Sequence, residues 1–147
     1  MKTAIYPGSF NPYHEGHREV VAYGLRIFNK IIIAVGQNPD KPKTETDKII
    51  NELISVEKYG LNNGCIEIVS FSGLLADYVK SQNEHAYKIN AVIRGLRNSR
   101  DFEDEKTQLY WNQDLHIGIP TVFFMASRGL AHVSSSALRA VEKARGQ

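Results

Sequence analysis

Short apolar runs recur along the chain, and a segment with helical spacing of its apolar residues follows each of them. Continuous apolar runs of this length are typical of strands that are buried on both faces of a parallel sheet. Their alternation with helices predicts an α/β fold, a doubly wound five-stranded parallel sheet in a single domain spanning residues 1–147. The predicted strands are Thr3–Tyr6, Ile31–Gly36, Cys65–Phe71, Ile89–Ile93 and Thr121–Met125.

Local signals set the boundaries of the helices. Helical spacing predicts a first helix from about Glu15 to Phe28 and a later one from about Arg100 to Leu115. Thr44-Glu45-Thr46-Asp47 has the spacing of a capping box, which predicts the start of the helix after the second strand. Ser72-Gly73 predicts another helix start, and the polar segment Ser81–Lys88 predicts an exposed connection.

Composition narrows the class of protein only a little. The 18 basic and 16 acidic residues give a net charge of +2, so bulk charge gives no argument for binding nucleic acid or a membrane. The single cysteine, Cys65, excludes an intramolecular disulfide and a zinc site made of cysteines alone. The longest apolar runs, such as Ile31–Val35, are too short to cross a bilayer, and no signal-peptide core is visible. We therefore expect a cytoplasmic protein.

The most informative stretch follows the first strand and reads G-S-F-N-P-Y-H-E-G-H, from Gly8 to His17. Pro7, just before this stretch, and Pro12 within it keep the chain in a loop. The helical spacing that begins after Gly16 places His14 and His17 at a helix N-terminus. Free N–H groups and the helix dipole make such an end attractive to phosphate, to which imidazoles can also donate. The alternative is a surface loop with two incidental histidines.

Two further polar clusters follow predicted strands. R-G-L-R, from Arg94 to Arg97, comes after the fourth strand, and V-S-S-S-A-L-R, from Val133 to Arg139, follows the fifth. In an open parallel sheet, ligands bind beyond the carboxyl ends of the strands where the strand order reverses, so we expect the three clusters to converge. Each has a structural alternative. The arginines could pair with the acids of Asp101–Glu105, and the serines could cap a helix.

These stretches resemble known enzymes. G-S-F-N-P-Y-H-E-G-H looks like the signature loop of nucleotidyltransferases with a (T/H)-x-G-H motif, and V-S-S-S-A-L-R is similar to their I-S-S-(S/T)-x-x-R motif. I-R-G-L-R-N-S-R-D-F-E-D-E resembles the phosphopantetheine adenylyltransferase family, whose motif is I-R-G-L-R followed by D-F-E-x-E. The resemblance implies a Rossmann-like nucleotidyltransferase fold. It also implies transfer of the adenylyl group of ATP to 4′-phosphopantetheine, giving dephospho-coenzyme A and pyrophosphate.

The resemblance also implies a role for each matching residue. The catalytic residues would be His17, Lys41 and Arg94. The acceptor would contact Ser9, Lys41, Leu74, Leu75 and Arg94. The ATP site would comprise Ser9, Phe10, His14, His17, Gly95, Leu96, Arg97, Glu105, Leu130, Ala131, His132, Val133, Ser134, Ser135, Ser136 and Arg139. Mg²⁺ is implied on the ATP phosphates, without a dedicated carboxylate metal site.

Several of these residues have an ordinary structural alternative. Lys41 lies in a polar loop, where a lysine is usually solvated. Leu74 and Leu75 could simply begin a helix, with Tyr78 and Val79, as core residues. The apolar and aromatic residues of Asp101–Leu115 spread too widely for one core-facing stripe, which favours a homo-oligomer, and the family resemblance implies a hexamer.

The chain departs from the family pattern at three positions. Asn11 stands where the family usually has Asp, His14 stands where this family usually has Thr, and Leu130 replaces an aromatic residue. H-x-G-H is commoner among nicotinamide or nicotinate mononucleotide adenylyltransferases, which are the main alternative. A cytidylyltransferase and a synthetase fragment are less favoured because their motifs are absent. A non-catalytic nucleotide-binding module of the same fold is the alternative from another class.

Overall fold

Five parallel strands form one sheet in the order β3-β2-β1-β4-β5 in the computed structural model, which describes residues 1–146. The strands are β1 (Thr3–Gly8), β2 (Lys30–Gly36), β3 (Ile66–Phe71), β4 (Ala91–Leu96) and β5 (Thr121–Met125). The chain moves outward from β1 to β3, then crosses back to β4, so the strand order reverses between β1 and β4. This is a doubly wound sheet, and the predicted fold class is confirmed.

Helices connect the strands and cover both faces of the sheet. They are α1 (Glu15–Gly24), α2 (Lys43–Val56), α3 (Lys58–Asn62), α4 (Leu75–His85), α5 (Ser99–Asp114) and α6 (Ser135–Ala144), with a 3-10 helix at Arg128–Leu130. The short helix α3 was not predicted. It follows α2 after the single residue Glu57, and its five residues are too few to show a helical period.

Two predicted helix boundaries are wrong. α1 ends at Gly24 instead of Phe28, because Phe28 packs into the same core from a turn and so extends the apolar spacing beyond the helix. α2 begins at Lys43, and no side chain caps it. The predicted capping residue Thr44 lies inside the helix, and Glu45 accepts a hydrogen bond from the side chain of Asn11 instead.

The region around α4 also differs from prediction. Ser81–Lys88 is largely exposed, as expected, but α4 continues through it to His85 because a helix with one buried side can be polar on the other. Leu74 does not face inward, since the helix begins only after it and its side chain is 51% exposed. β4 begins at Ala91 and includes Arg94, Gly95 and Leu96, which pair with β5.

The core lies on both sides of the sheet. On one face, Val20 of α1 and Leu53 of α2 pack with strand residues such as Ile33. On the other, Ala76 and Val79 of α4 pack with a second set of strand residues that includes Ile32. Neighbouring residues of β2 thus serve different faces, as the pleat of a strand requires. Among residues 1–146, no helix is long and apolar enough to cross a membrane.

Gly95 determines how closely α1 approaches the sheet. A Cβ atom at this position would lie 2.7 Å from Cγ2 of Val20, a distance that real contacts do not reach. The absence of a side chain therefore lets α1 pack directly on β4. As a result, the N-terminus of α1 lies beside the strand end that carries Arg94.

Candidate active site

A cavity of about 330 Å³ opens at the carboxyl ends of β1 and β4, where the strand order reverses. Its walls come from the loop after β1, the N-terminus of α1, the end of β4, the start of α5 and the loop that leads into α6. The three polar clusters found in the sequence therefore surround one space. Its volume falls in the range of small-molecule sites.

The two histidines cap the helix that they begin. Nδ1 of His14 accepts a hydrogen bond from the backbone N–H of Gly16 at 3.0 Å, and Nδ1 of His17 accepts from the backbone N–H of His14 at 3.1 Å. Because Nδ1 is an acceptor in both rings, the proton of each neutral imidazole is on Nε2. The rings stack with their centroids 3.7 Å apart. The sequence pattern predicted phosphate donors here but did not predict the reciprocal cap.

His17 is surrounded by aromatic rings. Tyr13 stacks on it at 5.4 Å with an interplanar angle of 10°, and Phe10 meets it edge-on at 5.0 Å. Burial, followed by repulsion from His14 when it is protonated and from the guanidinium groups of Arg94 and Arg97, lowers the pKa of His17 to about 3. Burial and Arg97 also lower the pKa of His14. Both imidazoles are therefore neutral hydrogen-bond donors rather than cations at neutral pH.

Both arginines of R-G-L-R are paired with carboxylates, as the structural alternative proposed. Nε of Arg94 lies 3.0 Å from each carboxylate oxygen of Glu105, Nη2 lies 2.6 Å from Oε1, and Nη1 donates to the carbonyl oxygen of Pro7. Nε and Nη2 of Arg97 bind the two oxygens of Asp101, each at 2.8 Å. A guanidinium has five N–H donors, so each arginine keeps donors for a ligand.

The serine cluster divides between capping and cavity lining. Oγ of Ser134 accepts from the N–H of Ala137 at 3.0 Å and so caps α6. Oγ of Ser135 donates to the carbonyl oxygen of Pro12 at 2.9 Å, and Arg139 binds the carbonyl oxygen of Asn11. These contacts fasten α6 to the loop after β1.

The predicted ATP residues do not all reach the cavity. Most of them line it, including the three serines, Leu130 and Val133. Ala131, His132 and Arg139 are not among its lining residues. Arg139 instead contacts a residue of the wall, since its Nη2 lies 3.3 Å from Oγ of Ser136.

A second cavity, of about 380 Å³, adjoins the first. Its lining is mainly apolar, with three polar side chains among the residues Phe71, Leu74, Leu75, Val92, Gln108, Leu109, Asn112 and Thr121. The two cavities share Pro7, Gly8, Arg94 and Glu105. The Arg94–Glu105 pair therefore stands at the junction of two spaces, one flanked by helix N-termini and one mainly apolar.

Lys41 lies outside both cavities. Its side chain is 56% exposed, and Nζ lies 3.9 Å from Oε1 of Glu45. The same oxygen accepts from the side-chain amide of Asn11 at 3.4 Å. Glu45 thus links the lysine loop to the loop after β1.

Several residues of the site were not predicted from the sequence. Glu19 lines the first cavity and accepts a hydrogen bond from the backbone N–H of Ser127 at 2.6 Å. The two residues are 108 positions apart, so no local sequence pattern predicts their contact. Asn112 is only 4% exposed and lines the second cavity. A signal for Asn112 existed, because Glu105, Gln108 and Asn112 recur at helical spacing on one face of α5.

Comparison with known proteins gives the family. Residues 5–141 match a family model described as cytidylyltransferase-like. The phosphopantetheine adenylyltransferase of Clostridium botulinum is 38% identical over 144 residues, which cover 97% of this chain and 86% of that protein. The protein of the same name from Cytophaga hutchinsonii is also 38% identical, over 97% of this chain and 90% of its own length. The chain belongs to the phosphopantetheine adenylyltransferase family. The family resemblance found in the sequence is confirmed.

Solved structures with the same fold carry the names of other adenylyltransferases. A bifunctional NMN adenylyltransferase/ADP ribose pyrophosphatase from Francisella tularensis matches with a TM-score of 0.70 at 15% identity, over 95% of this chain and 41% of that one. The nicotinic acid mononucleotide adenylyltransferase of Plasmodium falciparum matches with a TM-score of 0.61 at 16% identity, over 94% and 69%. At such identities the likeness concerns the fold, which this family member shares with them.

The pKa of His17 makes a prediction about pH. As pH falls below 6.5, the ordinary histidine pKa, His17 becomes protonated in the unfolded chain, whereas in the folded chain it stays neutral until about pH 3. The free energy of unfolding should therefore decrease through this window, and His17→Asn should weaken that dependence. NMR titration of the ring, assigned with the same variant, should show no protonation of His17 between about pH 8 and pH 5. A midpoint near 6.5 would contradict the buried, neutral ring.

Proposed function

We propose that this family member transfers the adenylyl group of ATP to 4′-phosphopantetheine, releasing pyrophosphate and giving dephospho-coenzyme A. The observation that carries the proposal is the pair of cavities that meet at Arg94 and Glu105. The first cavity has helix N-termini and neutral hydrogen-bond donors, which suit a nucleoside triphosphate. The second has apolar walls with the amides of Gln108 and Asn112, which suit a long arm that contains amide groups.

The reaction needs no protein nucleophile. A phosphate monoester has a second pKa of about 6, so the acceptor phosphate is a dianion at neutral pH. One of its oxygens attacks the α-phosphorus of ATP, and the bond from that phosphorus to the oxygen bridging to the β-phosphate breaks. The protein contributes in-line positioning and stabilisation of the charge that develops on the phosphoryl oxygens.

His17 is the proposed donor to the α-phosphate. Its Nδ1 is occupied by the backbone, so Nε2–H is the donor that remains for a ligand in the cavity. Because the ring is neutral, it donates a hydrogen bond without carrying a buried charge when the site is empty. His14, with the same tautomer, is proposed to assist, and Ser9 lies on the same wall.

Arg94 is the proposed binder of the acceptor phosphate. It lies at the junction of the cavities, where a phosphate at the end of the pantetheine arm would meet ATP. Its pairing with Glu105 holds the guanidinium in place while leaving N–H groups on both Nη atoms for the phosphate. Arg97, which is held by Asp101 on the other side of the first cavity, is assigned to ATP.

Lys41 and Mg²⁺ complete the proposal. To reach the reacting phosphates, Lys41 would have to leave its 3.9 Å contact with Glu45. An ion pair as exposed as this one contributes little free energy, so breaking it costs little. Mg²⁺ is proposed to enter with ATP as part of the substrate. Among residues 1–146, no group of three or more His, Cys, Asp or Glu side chains is arranged to hold a metal ion. The carboxylates of Asp101 and Glu105 are already engaged by arginines.

The second candidate is a nicotinamide or nicotinate mononucleotide adenylyltransferase. It is favoured by His14, which gives the H-x-G-H form of the motif, and the chemistry would be the same. A mononucleotide is a compact polar acceptor with a charged ring, whereas the second cavity offers Phe71, Leu75 and Leu109. This mainly apolar lining supports phosphopantetheine.

A pyrophosphate-release assay with ATP and each acceptor in turn tests the proposal. We expect turnover with 4′-phosphopantetheine, and none with pantetheine, which lacks the nucleophilic phosphate. His17→Ala should lower kcat by about 10²–10³, the scale for one lost transition-state donor, and should weaken ATP binding much less. Turnover with nicotinamide mononucleotide but not with phosphopantetheine would replace the assignment with the second candidate.

The two paired arginines allow a reciprocal test. Arg94→Ala should raise KM for phosphopantetheine far more than KM for ATP, because the acceptor loses its phosphate ligand. Arg97→Ala is the matched control, since it also leaves a carboxylate without its partner, and it should affect KM for ATP more. Steady-state kinetics with each substrate varied separately will distinguish the two. Equal effects of either variant on both substrates would mean that the arginines are structural.

A homo-oligomer, and by family resemblance a hexamer, is also proposed. Its support is α5, which exposes Phe102, Tyr110 and Trp111 by 43%, 54% and 60%. Sedimentation should give the mass of an oligomer, and Trp111→Glu should lower it because a charge would enter an apolar contact. Tyr59→Glu, at an exposed aromatic residue of α3, is the control and should leave the mass unchanged. A fully active monomer would refute the proposal.

A further inference from the structure

One hydrogen bond joins the loop after β1 to the junction of α2 and α3. The hydroxyl of Tyr13 donates to Oε1 of Glu57 at 2.7 Å, across 44 positions of sequence. Glu57 is the single residue between the two helices, and its side chain is only 12% exposed. Nε of Arg18 lies 3.8 Å from the same oxygen, so Glu57 contacts both the phenol and a guanidinium. A phenol bonded to a carboxylate is a strong, charge-assisted contact.

Tyr13 is also the ring that stacks on His17. The two ring planes are within 10° of parallel, at a centroid distance of 5.4 Å. The His17 ring is held further by His14, which stacks on it at 3.7 Å, and by the backbone N–H that Nδ1 accepts. Within this group, Tyr13 connects the imidazole to a helical element outside the loop. Through Tyr13, the stack around His17 is therefore linked to the junction of α2 and α3 as well as to α1.

We propose that Tyr13 and Glu57 are positioning residues for His17, with Glu57 holding the tyrosine ring in the stack that orients the imidazole toward the cavity. The proposal rests on the function proposed for His17. Burial and the bond to Glu57 raise the pKa of Tyr13, so the phenol keeps its proton and remains a donor at neutral pH. The two residues need not touch either substrate.

Two substitutions separate positioning from folding. Tyr13→Phe removes only the hydroxyl and keeps an aromatic ring, while Glu57→Gln keeps an acceptor oxygen for the phenol. We expect Tyr13→Phe to lower kcat on the order of tenfold or more, the scale on which misplacing a catalytic group acts, with KM for ATP nearly unchanged. Glu57→Ala should cause a similar loss and Glu57→Gln should restore most of it. The double variant Tyr13→Phe with Glu57→Ala should lose no more than either alone.

Tyr87→Phe is the matched control. Its hydroxyl also bonds a glutamate, Glu67 at 3.5 Å, but neither residue lines the two cavities that meet at Arg94. This variant should keep full kcat. Thermal unfolding of all the variants identifies any that fail to fold, and Glu57→Gln provides an independent test if Tyr13→Phe is among them. A kcat for Tyr13→Phe equal to that of Tyr87→Phe would overturn the proposal.

NMR of the His17 ring gives a readout that does not depend on the reaction. Loss of the stack should shift the ring resonances of His17 in Tyr13→Phe and Glu57→Ala, with Glu57→Gln close to the parent. If the parent protein transfers no adenylyl group to any acceptor, the proposed function fails while these shifts still test the positioning. Unchanged His17 resonances in Tyr13→Phe would reject positioning even in an active enzyme.

Discussion

The direct packing of α1 on β4 is the constraint on which the site depends. Because the strand order reverses between β1 and β4, the chains leaving these strands turn to opposite faces and leave a cleft at their ends. Gly95 then allows Val20 to approach the strand backbone. The N–H groups and imidazoles at the start of α1 are thereby brought to the strand end that carries Arg94. A Cβ atom at position 95 would force Val20 to shift from this contact.

The electrostatics of the cavity follow from how its charges are paired. Arg94 and Arg97 each have a carboxylate partner, so the two pairs add no net charge. Attraction for an anion therefore comes from oriented donors, namely the remaining N–H groups of the two arginines, the N-termini of α1 and α6, and the neutral imidazoles. This agrees with a chain whose net charge is only +2. It also explains why the histidines are better neutral, since a buried imidazolium beside two guanidinium groups would be costly.

Two departures from the family pattern acquire a physical explanation in this chain. Asn11 donates an N–H to Glu45, which an aspartate could not do without placing two carboxylates together. His14 both caps α1 and stacks on His17, whereas a threonine in its place could cap but could not stack. The residues at these two positions therefore suit local contacts.

The sequence by itself determined the sheet, because apolar runs and helical spacing are local signals. Thr121–Met125 was predicted at its observed bounds, and the three polar clusters were correctly expected to lie at strand ends. Signals that depend on a neighbour failed. The spacing at Thr44–Asp47 predicted a capped helix start, but α2 begins at Lys43 without a side-chain cap. Its nearby Glu45 instead accepts a hydrogen bond from the side chain of Asn11, which is 34 positions away.

Only the tertiary structure decided which side chains meet. Tyr13 with Glu57 and Glu19 with Ser127 are separated by 44 and 108 positions, and each pair lies on elements that are not consecutive. Asn112 became part of a cavity because α5 packs beside β4, which brings Asn112 to the same space as Phe71 and Leu75. Such contacts are set by distances between packed elements, and the polar residues involved look like any solvated side chain in the sequence. The sequence therefore specified the elements and their order, while packing selected the partners of each functional group.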